Sequence, residues 1–336
     1  MNFITGATGL VGSYLSRYLI EQGELVLALK RKDSRTDLLG AAVDKIQWIE
    51  GDLMDIDCLL EACEQSNKIY HCAAFVSYET KDKKEIFQTN TKGTTNIVNA
   101  ALASNIEKLL YVSSIAALGK PAMEFSINEK AKWENSNFHS TYGLSKYQAE
   151  QEVWRGIAEG LNAVIVNPSV ILGAGYWHQN SAKLFQYVAK GSKYYSNGST
   201  GFVDVIDVVK TMHLLMKSNF KGERFILNAA NLSYKNLFDK IALSINAKAP
   251  SKESPKSVVA WLSKLDWLKS KLTGNKRLLT KETVLSAQMI ANYKNNKIID
   301  TLDYTFTPIE QTIKQVGQAF LQSKKDGSDY GIIDFK

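Results

Sequence analysis

Short apolar runs alternate with amphipathic helical patterns over the first two thirds of the chain. Between the first two runs, the pattern VGSYLSRYLIEQG places Val11, Leu15 and Leu19 on one helix face and ends at Gly23. The runs are rich in β-branched residues, as buried parallel strands are. In chain order they are NFIT (2–5), LVLAL (25–29), IQWIE (46–50), KIYHCA (68–73), KLLYVSS (108–114), NAVIVNP (162–168) and RFILNA (224–229). This alternation predicts an α/β fold with a doubly wound parallel sheet.

A glycine triplet connects the first strand to the first helix. Gly6, Gly9 and Gly12 have the spacing GxxGxxG, which differs from the GxGxxG of the ordinary dinucleotide fingerprint. Glycines at such a turn let backbone N–H groups approach a pyrophosphate, and the helix N-terminus adds partial positive charge. A purely structural turn is the alternative. The succession of strand, glycines, helix and second strand favours the nucleotide site.

A tyrosine and a lysine stand four positions apart in STYGLSKYQAE (140–150). Tyr142 and Lys146 would share one face of a helix, and a nearby ammonium favours the phenolate form of a tyrosine. Such a pair is suited to general acid and base catalysis, although a Tyr/Lys pair alone is more often solvated surface. Ser114 ends the fifth strand, where its hydroxyl can donate to the same substrate oxygen. Ser113 is the second candidate and would point to the opposite face.

These motifs, together with several others in the same order, resemble the extended short-chain dehydrogenases/reductases, which form the NAD-dependent epimerase/dehydratase family. The pattern is most similar to the dihydroflavonol 4-reductase and 3β-hydroxysteroid dehydrogenase-like branch. In the family the catalytic Ser or Thr lies five residues before a glycine, which Ser114 and Gly119 match. The other matching motifs are GDL (51–53), HCAA (71–74), NTKGTTNIVNA (90–100), YVSS (111–114), YGLSK (142–146), NPSVILG (167–173) and GFVDVIDVV (201–209).

The resemblance implies a catalytic set and a cofactor site. Ser114, Tyr142 and Lys146 would be catalytic, and no metal is expected. Asn90 would order the strand network near the site. Asp52 would lie along the adenine, although it equally fits a helix N-cap for LMDIDCLLEAC. The cofactor-binding residues would be Gly6, Thr8, Gly9, Leu10, Val11, Gly12, Arg31, Asp52, Leu53, Cys72, Ala73, Ala74, Phe75, Tyr142, Lys146, Pro168 and Val170.

The end of the second strand favours NADP(H) over NAD. An NAD-selective site places an acid there to accept hydrogen bonds from the ribose hydroxyls. The sequence LALKRKDSR instead presents Lys30 and Arg31, with Arg35 close behind, and cations suit a 2′-phosphate. Arg31 is the preferred phosphate ligand. A solvated basic loop is the alternative, and NAD remains possible.

The resemblance implies a Rossmann-type cofactor domain and a smaller, mostly helical C-terminal substrate lobe. Residues 1–170, with about 200–230, would form the cofactor domain. Residues 171–199 and 231–323 would form the lobe, and 324–336 a flexible tail. The predicted activity is NADP(H)-dependent reduction of a ketone or aldehyde, or oxidation of the alcohol. The alternative is a nucleotide-sugar epimerase, and dehydration is disfavoured because Ile115-Ala116 replaces an Asp-Glu pair.

Composition narrows the partners. The formal charge is +7, and residues 248–281 contain nine Lys/Arg and two Asp/Glu, so they carry the whole excess. This pattern argues against a nucleic-acid partner. Within it, residues 254–274 predict an amphipathic helix that packs on the lobe, covers the substrate or, least favoured, contacts anionic lipid. A homodimer is expected by analogy with the family alone. Scattered cysteines, no leader and no run of about 18 apolar residues predict a cytoplasmic protein.

Overall fold

The computed structural model describes residues 1–120, 123–134, 139–254 and 281–335. Within these ranges, seven parallel strands form one sheet, and all seven match the predicted runs to within two residues. In chain order they are β1 (Asn2–Thr5), β2 (Val26–Lys30), β3 (Gln47–Glu50), β4 (Lys68–His71), β5 (Lys108–Val112), β7 (Ala163–Pro168) and β11 (Glu223–Leu227). The strands β6, β8 to β10 and β12 to β14 lie outside this sheet, and their bounds follow below.

Helices connect the strands and continue into the second half of the chain. The α-helices are α1 (Leu10–Glu21), α2 (Ile56–Glu64), α3 (Lys83–Phe87), α4 (Gly93–Ala103), α5 (Thr141–Ala158), α6 (Lys183–Ala189), α7 (Val205–Lys217), α8 (Tyr234–Ser244), α9 (Lys281–Gln288), α10 (Asn296–Leu302) and α11 (Ile309–Asp326). A π-helical turn covers Gln88–Lys92, and 3-10 helices cover Asp37–Lys45, Thr80–Asp82, Ile115–Ala117 and Asn180–Ala182. None of the helices in the described ranges is both long and apolar enough to cross a membrane.

The strand order of the large sheet is β11-β7-β5-β4-β1-β2-β3. From β1, the strands β2 and β3 follow toward one edge of the sheet, whereas β4, β5, β7 and β11 follow toward the other edge. The direction in which strands are added therefore reverses between β1 and β4. Both faces are covered because successive strand residues point to opposite sides. Ile4 packs with α1 and α7 on one side, and Phe3 packs with α2, α4 and α5 on the other. Such a reversal opens a crevice at the carboxyl ends of β1 and β4.

A second sheet, which the sequence pattern did not predict, combines strands from both predicted parts of the chain. Its order is β12-β10-β14-β6, with β8 paired to β10. These strands are β6 (Glu124–Ile127), β8 (Val170–Leu172), β10 (Ser199–Asp204), β12 (Ala230–Ser233) and β14 (Ile290–Tyr293), and a small pair joins β9 (Tyr194–Tyr195) to β13 (Lys252–Glu253). β6 and most of β10 come from the segments assigned to the cofactor domain, whereas β14 and most of β12 come from the predicted lobe. The described part of that lobe is mostly helical, as predicted, since it contains α6, α8, α9, α10 and most of α11. Short strands such as ANLS carry too few apolar positions to be recognised from the sequence.

The C-terminal segment 327–335 differs from the predicted flexible tail, because it packs on α1. Tyr14 is fully buried, and its hydroxyl donates to the Ala174 carbonyl and accepts from the Ile333 N–H. Arg17 pairs with Asp334 and donates to the Ile333 carbonyl, while the Phe335 ring packs edge-on against Tyr14. The apolar residues of this short segment cover α1, whereas its polar neighbours suggested a solvated end. The predicted helix 254–274 lies outside the described residues apart from Ser254.

We predict that Tyr14→Phe destabilises the protein by about 1–3 kcal/mol, because it leaves the buried Ala174 carbonyl and the partly buried Ile333 N–H without their shared partner. Urea unfolding measures the change in the free energy of unfolding. Tyr18→Phe is the matched control on the same helix: its ring also packs on Phe335, but its hydroxyl bonds to no described residue. Equal losses in the two variants would show that the bridge to the C-terminal segment does not stabilise the fold.

Candidate active site

The sequence-predicted site residues follow the carboxyl ends of six neighbouring strands. The glycine triplet follows β1, Arg31 follows β2, and Asp52 and Leu53 follow β3. Cys72, Ala73 and Ala74 follow β4, Ser114 follows β5, and Pro168 ends β7 just before Val170 begins β8. Because all these strands are parallel and hydrogen-bonded in one sheet, their carboxyl ends share one edge. α5 then brings Tyr142 and Lys146 to the same edge.

The glycine turn forms a close-fitting backbone cradle. Gly6 has a φ of +72°, and a Cβ there would lie 2.7 Å from the Ala73 Cα. A Cβ on Gly12 would lie 2.1 Å from the Gly6 carbonyl oxygen. No side chain caps the N-terminus of α1, whose N-cap residue is Gly9. Its first N–H groups are thus available to an anion, and the turn fits the diphosphate of a dinucleotide.

Three basic residues, Lys30 at the end of β2 and Arg31 and Arg35 in the loop that follows, have different surroundings. The Arg35 guanidinium donates to both oxygens of Asp329 at 2.7 and 2.9 Å, also donates to Asp37, and lies 4.3 Å from the Tyr176 ring centroid. Lys30 lies over the Trp48 ring. Arg31 is exposed, and among the described residues no salt bridge involves it. Its backbone N–H donates to Ser34 Oγ and fixes the turn that carries it.

The loop after β3 excludes one of the two interpretations of Asp52. Asp55, and not Asp52, is the N-cap of α2, since its side chain accepts from the Cys58 N–H. The alternative N-cap role of Asp52 is therefore wrong. Asp52 accepts from the Met54 N–H at 2.6 Å, and the following Leu53 is buried beneath α4. The adenine contact of Asp52 stays a prediction.

A neutral hydrogen-bonded chain fixes the ends of β1 and β4. His71 Nδ1 lies 2.6 Å from Thr5 Oγ1, and its Nε2 lies 2.9 Å from Thr94 Oγ1. Because the Thr94 hydroxyl donates to the Asn90 carbonyl, it accepts the proton on Nε2, and Nδ1 accepts from Thr5. Burial, and then Lys146, lower the pKa of His71 to about 3. The imidazole is therefore uncharged at neutral pH.

Asn90 lies in the π-helical turn and clamps the loop after β4 to α5. Its side chain accepts from the Phe75 N–H and donates to the Phe75 carbonyl and to Ser145 Oγ. π-helical turns often accompany functional sites because they redirect one side chain out of helical register. The ordering role predicted for Asn90 thus corresponds to a direct bridge between the predicted cofactor loop and the helix of Tyr142.

Ser114 and Tyr142 are neighbours at the sheet edge. Ser114 Oγ accepts from the Ala116 N–H at 3.1 Å, which leaves the proton of its hydroxyl for another acceptor. Burial, and then Tyr78, raise the pKa of Tyr142, while the neighbouring Ser114 hydroxyl lowers it. The Tyr78 ring packs edge-on against Tyr142. A phenol with a raised pKa keeps its proton at neutral pH, so it can donate that proton to an acceptor.

Lys146 lies one turn further along α5 and is 1% exposed. Its Nζ donates to the Val112 carbonyl at 2.8 Å and lies 4.3 Å from the centroid of the Tyr111 ring. Burial lowers the pKa of Lys146 to about 7, although Glu150 and Cys72 raise it. The lowering of the Tyr142 pKa by the lysine and a bound nicotinamide stays a prediction.

Sequence reasoning did not identify Glu150 and its partner Arg224. Ser113 donates to Glu150 and so faces away from Tyr142, as its alternation with Ser114 predicts. Glu150 is fully buried and is paired with Arg224 on β11. The one sequence signal for Glu150 is its spacing of four from Lys146. Arg224 had none, because its pairing depends on which strands are neighbours. In the described residues, no cluster of three or more His, Cys, Asp or Glu side chains could hold a metal.

Comparisons with known proteins place this arrangement in a family. The model of the NAD dependent epimerase/dehydratase family matches residues 2–230. A candidate dihydroflavonol 4-reductase of Synechocystis sp. is 33% identical over 75% of this chain and 75% of its own length. The crystal structure of gox2253 aligns with 97% of this chain and 98% of its own at a TM-score of 0.82 and 27% identity. The UDP-glucose 4-epimerase of Thermotoga maritima, with a TM-score of 0.78 over 96% of this chain and all of its own, is 17% identical and shows the fold alone.

We predict that Lys146→Met stabilises the cofactor-free protein at pH 6 by on the order of 1 kcal/mol or more, because a buried ammonium is replaced by an apolar chain. The folded pKa of about 7 lies below the ordinary lysine value of 10.5. The unfolded chain therefore binds more protons between these two pH values, and the wild type gains stability as the pH rises through this window. The difference between variant and wild type should shrink accordingly.

Thermal unfolding at pH 6 and at pH 9 measures the effect of Lys146→Met. Lys92→Met, at an exposed lysine, is the control and should change little at either pH. A difference between Lys146→Met and wild type that stays constant across this range would show that Lys146 keeps an ordinary pKa.

Proposed function

The chain belongs to the NAD dependent epimerase/dehydratase family, and we propose that it is an NADP(H)-dependent oxidoreductase. Its substrate would be a ketone or aldehyde, or the alcohol in the reverse direction. The observation that carries the proposal is the juxtaposition of Ser114 and Tyr142 at the carboxyl edge of the sheet, with Lys146 buried one helix turn further along α5. Two neighbouring hydroxyls suit a carbonyl oxygen, which can accept two hydrogen bonds.

The bound nicotinamide would supply the hydride that reaches the carbonyl carbon. Ser114 Oγ and Tyr142 Oη would donate hydrogen bonds to the carbonyl oxygen and orient the substrate. As negative charge develops on that oxygen, Tyr142 would transfer its proton to it, which yields the alcohol and a tyrosinate. Lys146 would stabilise that tyrosinate electrostatically and contact the cofactor ribose. A proton from solvent would then restore the phenol.

Two observations favour reduction over the other reactions of the family. Ile115 and Ala116 form a 3-10 helix directly after Ser114, so the acid and base that a dehydratase would need at these positions are missing. Thr200-Gly201 precedes Phe202 in this chain. Many nucleotide-sugar enzymes of this family carry Arg-Asp at this place, and the arginine binds the diphosphate of the substrate. The Synechocystis relative, by its name, is also a reductase. A nucleotide-sugar epimerase is the alternative.

The preference for NADP(H) rests on the cations after β2. β2 ends at Lys30, a position where an NAD-selective site would favour an acid. Arg35 is already paired with Asp329 and Asp37, and Lys30 lies over Trp48. Arg31 remains exposed at the start of a fixed turn. It is therefore the guanidinium best suited to a bidentate contact with a 2′-phosphate.

We predict that the protein oxidises NADPH in the presence of one or more members of a panel of ketones and aldehydes, and that Tyr142→Phe abolishes this turnover. The phenylalanine lacks the proton donor but keeps the ring, so the affinity for NADPH should stay within about twofold. Absorbance at the nicotinamide band measures turnover, and cofactor fluorescence measures binding. Interconversion of UDP-sugars without net NADPH consumption would instead support the epimerase, and full activity of Tyr142→Phe would contradict the proton transfer.

We predict that Arg31→Ala weakens NADPH binding about ten- to hundredfold and leaves NADH binding nearly unchanged, because a charge-assisted contact with the 2′-phosphate is lost. Fluorescence titration with each cofactor measures both affinities. Arg35→Ala should have the smaller effect, since its guanidinium is already occupied, and Lys32→Ala is an exposed control in the same turn. Equal losses for NADPH and NADH, or a larger loss for Arg35→Ala, would contradict the assignment to Arg31.

A further inference from the structure

Glu150 is a carboxylate in the protein core. It lies on α5 one turn after Lys146, on the same helix face, and its side chain is 1% exposed. A buried carboxylate is costly unless hydrogen bonds and a counter-charge compensate for the lost water. The contacts that compensate for this burial reach the residues next to Ser114 with one carboxylate oxygen, and Arg224 and Trp154 with the other.

One oxygen of Glu150 fixes the strand ends that carry Ser114. Its Oε2 accepts from Ser113 Oγ at 2.7 Å and from Asn167 Nδ2 at 2.9 Å. Asn167 Nδ2 also donates to the Ser114 carbonyl at 3.0 Å. The carboxylate therefore positions the backbone on both sides of the Ser113–Ser114 peptide bond, and it ties β5 to β7 at the edge where the candidate substrate oxygen would lie.

The other oxygen faces a cation that is itself held in place. Oε1 accepts from Arg224 at 2.9 Å and from Trp154 Nε1 at 3.3 Å. The same guanidinium donates to the carbonyls of Glu129 and Ala131 at 2.7 and 2.5 Å. Arg224 is thus anchored and forms the ion pair with Glu150. Lys146, one helix turn away, bonds to neither carboxylate oxygen but responds to the charge of the carboxylate.

Few other charges face Lys146. Cys72 and His71 approach it from β4, the Tyr111 ring from β5, and Tyr142 from its own helix. His71 is neutral, as its hydrogen bonds require, and burial raises the pKa of Cys72 to about 12, which keeps the thiol protonated. Glu150 is the carboxylate that favours the charged form of Lys146. It is therefore the counter-charge of the Lys146 ammonium.

We propose that Glu150 is a positioning residue of the Ser-Tyr-Lys site: its carboxylate fixes the backbone of Ser114 and keeps the Lys146 side chain in its cationic form. The inference rests on the proposed oxidoreductase function. Its physical consequence is a specific pH dependence. The reduction needs the ammonium, so the rate falls as the pH rises through the pKa of Lys146. Removal of the negative charge of Glu150 lowers that pKa, and the fall then begins at lower pH.

The test compares the pH profiles of kcat for carbonyl reduction. In Glu150→Gln we expect the alkaline midpoint to move down by about one pH unit, which reduces kcat about tenfold at pH 8 and much less at pH 6. Glu150→Asp keeps the charge but shortens the reach to Ser113, so it should lower kcat at every pH while the midpoint stays within a few tenths of the wild type. Glu152→Gln makes the same chemical change at a partly exposed position of α5 and should leave the profile unchanged.

A midpoint that is the same in wild type and Glu150→Gln would overturn the inference. If Glu150→Gln does not fold because Arg224 is left unpaired, Glu150→Gln/Arg224→Met removes both buried charges. A smaller downward shift is then expected, because loss of the Arg224 cation offsets part of the effect of losing the carboxylate. The pH dependence of NADPH binding is the second readout, because Lys146 would contact the cofactor ribose. If the wild type reduces no carbonyl, the proposed function fails, and the shift or constancy of the binding midpoint still decides the role of Glu150.

Discussion

A buried ammonium group imposes the strongest constraint on the centre of this molecule. Lys146 lies almost wholly out of water, and a charge in such a place persists only where the surrounding protein replaces its hydration. The Val112 carbonyl, the Tyr111 ring and the Glu150 carboxylate supply that replacement. These groups come from β5 and α5, so the helix must pack on the sheet in one register for the lysine to be tolerated.

The polar groups around this lysine divide into a neutral part and a charged part. Thr5, His71, Thr94 and Asn90 form a hydrogen-bonded chain without net charge beneath the glycine turn. Glu150 and Arg224 form an ion pair on the other side, anchored by backbone carbonyls of the 129–131 segment. This division leaves the lysine next to one negative group, so small changes there alter its charge more than changes elsewhere in the core.

The C-terminal segment affects the cofactor edge from outside the sheet. Asp329 pairs with Arg35 in the loop after β2, and the backbone of residues 329–331 pairs with the segment that follows β8. The same segment packs on α1, whose N-terminus carries the glycine cradle. Residues near the end of the chain thereby connect the lobe to the loop that would distinguish NADPH from NADH.

The sequence by itself determined the seven strands, their parallel arrangement and the residues that meet at the sheet edge. The periodicity of apolar residues, the spacing of the glycines and the succession of strands and helices along the chain are local signals. Parallel pairing then places the carboxyl ends of the strands at one edge without further information. The second sheet, the packed C-terminal segment and the pairing of Glu150 with Arg224 were decided only by the tertiary structure. β6 and β14 are more than 160 residues apart, and the ion pair spans 74 residues of chain. Contacts at such separations depend on which surfaces meet in the fold, and no local pattern records them.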